Sequence, residues 1–347
     1  MYMFKYVMKR IGLMLLTFCV IMLMCFVLIK MLPITVNAGF GEDANITYFA
    51  LEARGYICNL RDRFGNIVQL GDSAIITSFD TVPVLKQLGT YLERIFLHGD
   101  FGMGVNMYPN LGVWDIFVVK LPPTILINIY STLIGVPIGL GLGIFAALKK
   151  NKWQDQVINI VVILLISLPS LVMGLIIQYV FCFKLGWFPV TMETYAPDRG
   201  VGYFSWAMFR SMLPATFSLC LGSIAGYARY TRAELCEVLT NDYMLLARTK
   251  GLTRGQATRR HALRNAMVPI FPSILSEFIA VLSGSLIIEQ MFSIPGIGAL
   301  YLTSINTLDY DFFLFLSAFY TFISLAAGIV IDISYGFIDP RIRMGAK

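Results

Sequence analysis

The residues with the most capacity for chemistry lie in one basic stretch, Arg229 to Pro269. It carries Arg229, Arg232, Arg248, Lys250, Arg254, Arg259, Arg260 and Arg264, together with His261, and Gly251 interrupts it near the middle. The stretch is helical by propensity. Asn241 and Asp242 suit the N-cap of a short helix ending at Gly251, and Thr253 suits the cap of a second helix that runs to the prolines before the next apolar run. The expected product is a helix, a tight turn and a helix, with Gly251 permitting the turn because it tolerates positive φ. Three acids, Glu277, Glu289 and Asp332, fall within or beside long apolar runs. A charge there is expensive and faces a cavity or a partner. Glu289 and Asp332 sit toward the ends of their runs and read as interface markers, whereas Glu277 is better placed to face a pathway.

The same residues exclude most enzymatic chemistry. His98 and His261 have no Asp or Glu arrangement for catalysis or metal binding, and no G-x-x-x-x-G-K-[ST] loop occurs in the chain. Six cysteines (Cys19, Cys25, Cys58, Cys182, Cys220, Cys236) give neither a disulfide framework nor metal-ligand spacing. Gly135, Gly139, Gly141 and Gly143 look superficially like a phosphate loop. No strand precedes them, so they read as small residues that let membrane helices approach closely.

The elements that must position these residues are membrane helices. Of 347 residues, 57% are hydrophobic and 14% charged, with a mean hydropathy of +0.71, whereas a soluble domain is about 45 to 50% apolar and about 25% charged. Six runs meet the length of about 20 apolar residues that a spanning helix requires: 11–32, 124–148, 157–183, 211–228, 268–292 and 312–335. The first is longer than a signal-peptide core and lacks a clean cleavage site, so it reads as a retained helix. The N-terminus, the turn from Lys149 to Asp155, the segment 229–264 and the tail hold 17 of 27 basic residues but 5 of 21 acids. Those four segments belong in the cytoplasm, giving N-in, C-in topology and presenting the knuckle to the cytosol. This explains the basic excess without nucleic acid.

The organisation that follows is an N-terminus and first helix (1–32), an external segment (33–120), a core of five helices (121–336) containing the cytoplasmic segment 229–268, and a tail (337–347). The external segment is long for a structureless loop, which points to a fold of its own or a function such as closing the outer mouth or seating a binding protein; the equal alternative is a lineage-specific insertion without such a role. Turn residues punctuate it, and 81–97 reads as an amphipathic helix lying on the membrane.

At this point the sequence resembles the permeases of bacterial oligopeptide and dipeptide ABC importers. The stretch DYMLLARTKGLTRGQATRRHALRNAMVP is similar to that family's "EAA" loop, and GDFGMG, LPPT, Asp155, SLPS, LGWFPV, LPAT, GSLIIEQMFSIPGIGAL and DISYGFIDPRIR follow in the family's order. The resemblance covers about residues 1–30 and 99–343. It departs at GDFGMG, where G-D-L-G-x-S is more frequent, at Leu245 and Leu246, where the general consensus has Glu-Ala, and over 33–98, which has no pattern that aligns.

The resemblance implies an all-α fold of six transmembrane helices, of the type I importer permease class. It also implies a second homologous permease, two cytoplasmic ATPases that bind ATP and Mg, and an extracytoplasmic peptide-binding protein, with no cofactor on this chain. The knuckle, 241–258, would fit a groove on an ATPase through Asp242, Tyr243, Ala247, Arg248, Lys250, Gly251, Leu252, Arg254 and His261. Ala247 would be small enough for close packing, and the three cations would pair with acids on the partner. The short cytoplasmic start and long external segment resemble the first-named of the two permeases. Nickel, opine, glutathione and sugar importers share the membrane fold. A stand-alone secondary transporter would show internal repeats and paired broken helices, and a membrane enzyme a clustered acid, base or metal site; neither pattern is evident.

Overall fold

The computed structural model describes residues 2–34, 36, 42–70, 72 and 74–338; the tail motif from Asp339 onward lies outside them. In chain order the helices and strands are α1 (Tyr2–Lys30), α2 (Glu42–Ala53), β1 (Ile57–Arg61), β2 (Ser78–Thr81), α3 (Val84–Glu93), α4 (Val113–Leu148), α5 (Trp153–Ser167), α6 (Ser170–Ile177), α7 (Trp206–Val238), α8 (Asp242–Thr249), α9 (Arg254–Ala257), α10 (Leu263–Ala280), α11 (Leu286–Met291), α12 (Ile297–Asn306) and α13 (Tyr310–Ile338). Among the described residues, five helices are long and apolar enough to cross a membrane, and a bent pair counted as one span makes six. In hydrocarbon only such internally hydrogen-bonded segments are tolerated.

The second and fourth spans, Val113–Leu148 and Trp206–Val238, extend about ten residues beyond their expected runs, and two others differ in kind. The third, expected as one helix over 157–183, is broken into α5 and α6 with a bend of 103°. Leu168 is extended (φ −84°, ψ 126°), as steric conflict with the ring of Pro169 requires, and Pro169 begins the next helix. The fifth was expected over 268–292, starting at its prolines. Instead one helical run extends Arg254–Ser283, directly out of the knuckle, with Pro269 and Pro272 inside it. It stops at Gly284 (φ +68°), and α11 is a separate short helix. Membrane helices tolerate interior prolines, and Pro269 and Pro272 do not end this one.

The chain divides into two compact units, Met1–Leu121 with Ala299–Leu325, and Pro122–Gly298 with Ala326–Lys347. In the first unit the external segment has a fold of its own. The antiparallel pair β1–β2 (Ile57↔Thr81, Cys58↔Asp80) packs with α2 around Leu51, Tyr56, Ile57, Leu60, Val68 and Ile76. Residues Val84 to Glu93 form the expected helix, with Tyr91 packed on Phe26 of α1 at a ring separation of 5.2 Å. The segment is fastened to the start of α13 by two carboxylates. Asp309 accepts the backbone N–H groups of Val105, Asn106 and Met107 at 3.0 Å each. Asp311 accepts from the Tyr56 hydroxyl at 3.1 Å and the Met103 N–H at 3.3 Å, and pairs with Lys30 at 3.7 Å. Burial raises the Asp309 carboxyl above the usual range despite its three N–H donors.

In the second unit, Gly135, Gly139 and Gly143 form one face of α4 against α7. A Cβ on Gly139 would come within 2.7 Å of the Tyr227 Cβ, and one on Gly143 within 2.6 Å of the Thr231 Cβ. These positions serve close helix approach, as small residues do in membranes. The topology yields an expected result: in a background without the six native cysteines, cysteines at the exposed positions Asp72 and Thr194 should react with an impermeant maleimide from outside. Those at Asn151 and Thr253 should react only after permeabilisation, and the reverse pattern would overturn the charge argument.

Candidate functional site

The knuckle forms as its capping residues dictate. Asn241 is extended (φ −72°, ψ 149°) at the N-cap of α8, although its side chain makes no cap bond. Asp242 in the first turn and Arg248 in the last complement the helix dipole. Gly251, at φ +89°, ends the helix. Its N–H donates to the Arg248 carbonyl at 3.0 Å, and the Leu252 N–H to that of Ala247 at 3.3 Å, which is the Schellman pattern. Thr253 then opens α9 with a full capping box: its hydroxyl accepts from the Gln256 N–H, and the Gln256 side chain accepts from the Thr253 N–H.

The knuckle has an inner and an outer face. Met244 and Ala247 turn inward onto Ala147, Leu235, Ala257, Ala262 and Ala266, a bed of small side chains that lets α8 lie close across its neighbours. The close packing of Ala247 is therefore with its own chain. Leu252 is half-buried in the same cluster. Outward lie Tyr243, Leu245 and Leu246, the two leucines 63% and 55% exposed, together with Asp242, Arg248, Lys250 and Arg254. None of these three cations forms an ion pair with a described residue. An open cavity of about 500 Å³ beside α8 has Asp242, Leu245, Arg248 and Arg254 in its wall. His261 is exposed on the wide turn that follows α9. Apolar side chains displayed among unpaired cations, on a base that is itself well packed, make a surface suited to an acidic, apolar groove on another protein.

A brace that the sequence reading did not find holds the base of the knuckle. The buried Asp155 carboxylate receives Arg232 Nε at 2.5 Å and Nη2 at 2.8 Å, the Asn151 N–H at 3.0 Å and the Asn159 amide at 2.9 Å. It ties the cytoplasmic end of α7 to the turn between α4 and α5. Asp155→Ala should cost about 2–3 kcal/mol by stranding these donors, read as a lower thermal midpoint of the purified protein. Arg232→Lys should not behave as wild type, because a lysine cannot reproduce the two-pronged fork. Unchanged midpoints in both variants would remove the brace from the account.

The acids in the membrane segments occupy different settings. Glu277 of α10 is half-buried beside an open groove of about 350 Å³ and accepts a 2.6 Å hydrogen bond from the Ser223 hydroxyl of α7. Glu289, expected to mark an interface, is instead 1% exposed in the interior. It accepts from the Thr124 hydroxyl at 3.0 Å and the Gly298 N–H at 2.8 Å, while Thr124 accepts the Ile297 N–H at 2.9 Å. Asp332 is half-buried on α13. Among the described residues no group of three His, Cys, Asp or Glu is arranged to hold a metal ion.

The sequence matches the family profile of the binding-protein-dependent transport system inner membrane component over residues 139–344. It is 30% identical to the dipeptide transport system permease protein of Lactococcus lactis subsp. cremoris, covering 99% of this chain and 100% of the relative. The Bacillus subtilis dipeptide permease is also 30% identical, covering 99% of each chain. The glutathione transport system permease protein of Escherichia coli is 32% identical over 75% of this chain and 80% of its own. Among solved structures, an amino acid ABC transporter crystallised with histidines superposes with a TM-score of 0.50 at 20% identity, covering 64% of this chain and 94% of that one.

Proposed function

Since this chain belongs to the family of binding-protein-dependent transport system inner membrane components, we propose that it is the first-named permease of an ATP-driven peptide importer. It is a multi-pass inner membrane protein and a transport subunit of an ABC complex. In the proposed complex it forms half of the translocation pathway beside a second homologous permease, above two cytoplasmic ATPases that hold ATP and Mg, and receives peptide from an extracytoplasmic binding protein. The observation that carries the coupling role is the outer face of the knuckle, where Leu245 and Leu246 stand exposed among Arg248, Lys250 and Arg254. A solvated loop serving topology alone needs the charges but not the leucines.

In this reading Asp242, Tyr243, Arg248, Lys250 and Arg254 meet the ATPase, Gly251 and Leu252 fix the turn, and Ala247 holds the helix against its bed. His261 sits at the margin of the contact. Glu277 faces the pathway. A peptide substrate is supported by the two dipeptide relatives, whose similarity runs the full length of both chains, external segment included. The glutathione relative matches over a shorter part.

The test is reconstitution. The purified complex should contain a second permease and two ATPases, and its proteoliposomes should accumulate a labelled dipeptide only with ATP and binding protein. Recovery of this chain as a single species that transports unaided would overturn the proposal.

A further inference from the structure

We infer that Glu277 is a binding site for the positively charged end of the cargo, the α-ammonium of a peptide, within the pathway. This rests on the peptide reading above and adds to it a point of recognition inside the membrane.

Glu277 lies six residues before the end of the helical run Arg254–Ser283, among apolar residues where an uncompensated carboxylate is costly and is kept for a cavity or a partner. Ser223 satisfies Oε1. Among the described residues Oε2 has no hydrogen-bond donor, and no lysine, arginine or histidine pairs with the carboxylate.

The rest of the groove is built to the same end. Its wall contains no basic residue: Gly222 and Gly226 leave open space where a side chain would stand, and Ser223, Tyr227 and Tyr230 supply hydroxyls. Ser273 adds a fourth hydroxyl, and the first three have committed their protons. Tyr227 donates to the Ser273 carbonyl at 2.9 Å, Tyr230 to the Pro269 carbonyl at 3.3 Å and Ser223 to Glu277. The side chains therefore present several oxygen acceptors and a carboxylate to the groove, with the Ser273 hydroxyl as an uncommitted neutral donor and no cationic group in the wall. That inventory complements an ammonium group, which has three donors and no acceptor, and repels a carboxylate. The volume of about 350 Å³ falls within the range of about 300 to 1,000 Å³ typical of small-ligand sites.

The test uses the intact, nucleotide-free complex without binding protein, so that selection by that protein does not enter. Affinities for alanyl-alanine amide, which carries the ammonium, and N-acetyl-alanyl-alanine amide, which does not, are compared by saturation-transfer NMR titration. The wild-type complex should prefer the cationic probe at least tenfold. Glu277→Gln should bring the ratio to about one by weakening the cationic probe alone, and Glu277→Asp should keep a preference. Persistence of the preference in Glu277→Gln would overturn the inference. So would its absence from a wild-type complex that does import peptide, which would assign the carboxylate to a cation on the second permease. Failure of the wild-type complex to import any peptide would instead overturn the proposed function.

Discussion

Gly251→Val should leave the permease inserted in the membrane while reducing substrate-stimulated ATP hydrolysis and transport by about ten- to a hundredfold. Gly251 sits at φ +89° with nothing within 4 Å of where a Cβ would stand. The variant therefore meets no clash inside its own chain, and its penalty is conformational. Holding a non-glycine residue at positive φ costs about 1–3 kcal/mol, most for a β-branched side chain. The chain can escape that strain by unwinding the exposed turn, so the cost is transferred from folding to docking, where each 1.4 kcal/mol is about tenfold in affinity. Gly251→Asn, which tolerates the left-handed region, should retain most of the coupling. A Gly251→Val complex with wild-type coupling in proteoliposomes would mean that the turn is not the docking tip. Reversing charge with Arg248→Glu and Lys250→Glu together should act in the same direction, more at low salt, and more than the same change at Lys149 and Lys150.

Glu289→Leu should be the most damaging single change in the membrane core. It strands the Gly298 N–H and the Thr124 hydroxyl in the interior at about 1–3 kcal/mol each, and puts a branched apolar group where Gly284, Gly296 and Gly298 crowd the carboxylate. The expected outcome is little folded protein in detergent extracts. Thr124→Val, which removes the hydroxyl but nearly keeps the volume, should lower the thermal midpoint by less. A Glu289→Leu protein of normal yield and midpoint would show that these hydrogen bonds contribute nothing net.

The contrast between these two sites shows what the sequence could reveal. Gly251 and Thr253 act on backbone within a few residues of themselves, so the turn and the second cap could be read from residue type, whereas Asn241 stands at the expected N-cap position without making a cap bond. The composition and the positions of lysine and arginine likewise prescribed membrane helices, because hydrocarbon admits few alternatives. Glu289 depends on Thr124, and Asp155 on Arg232, partners distant in the chain and joined only by packing; nothing local distinguishes a buried acid from an interfacial one. Proline was ambiguous for a related reason. Pro169 breaks a span, whereas Pro122, Pro123, Pro137, Pro214, Pro269 and Pro272 lie within helices, and residue type alone does not separate the two cases. The external segment is anchored by Asp309 and Asp311, about two hundred residues away, and its two strands were not anticipated from the sequence. Which leucines of α8 face outward also had to await the alanine bed beneath Met244 and Ala247.

The central claim is that the outer face of α8 is where this permease meets its ATPase, and site-directed photocrosslinking tests it most directly. A benzophenone side chain at Leu245, in the complex with its ATPases, should on illumination give one adduct of permease plus ATPase, and the yield should change when ATP is added. The same probe at Lys149, also cytoplasmic but outside the knuckle, should give little. Equal adducts from both positions, or none from Leu245 in a complex that transports, would contradict the account.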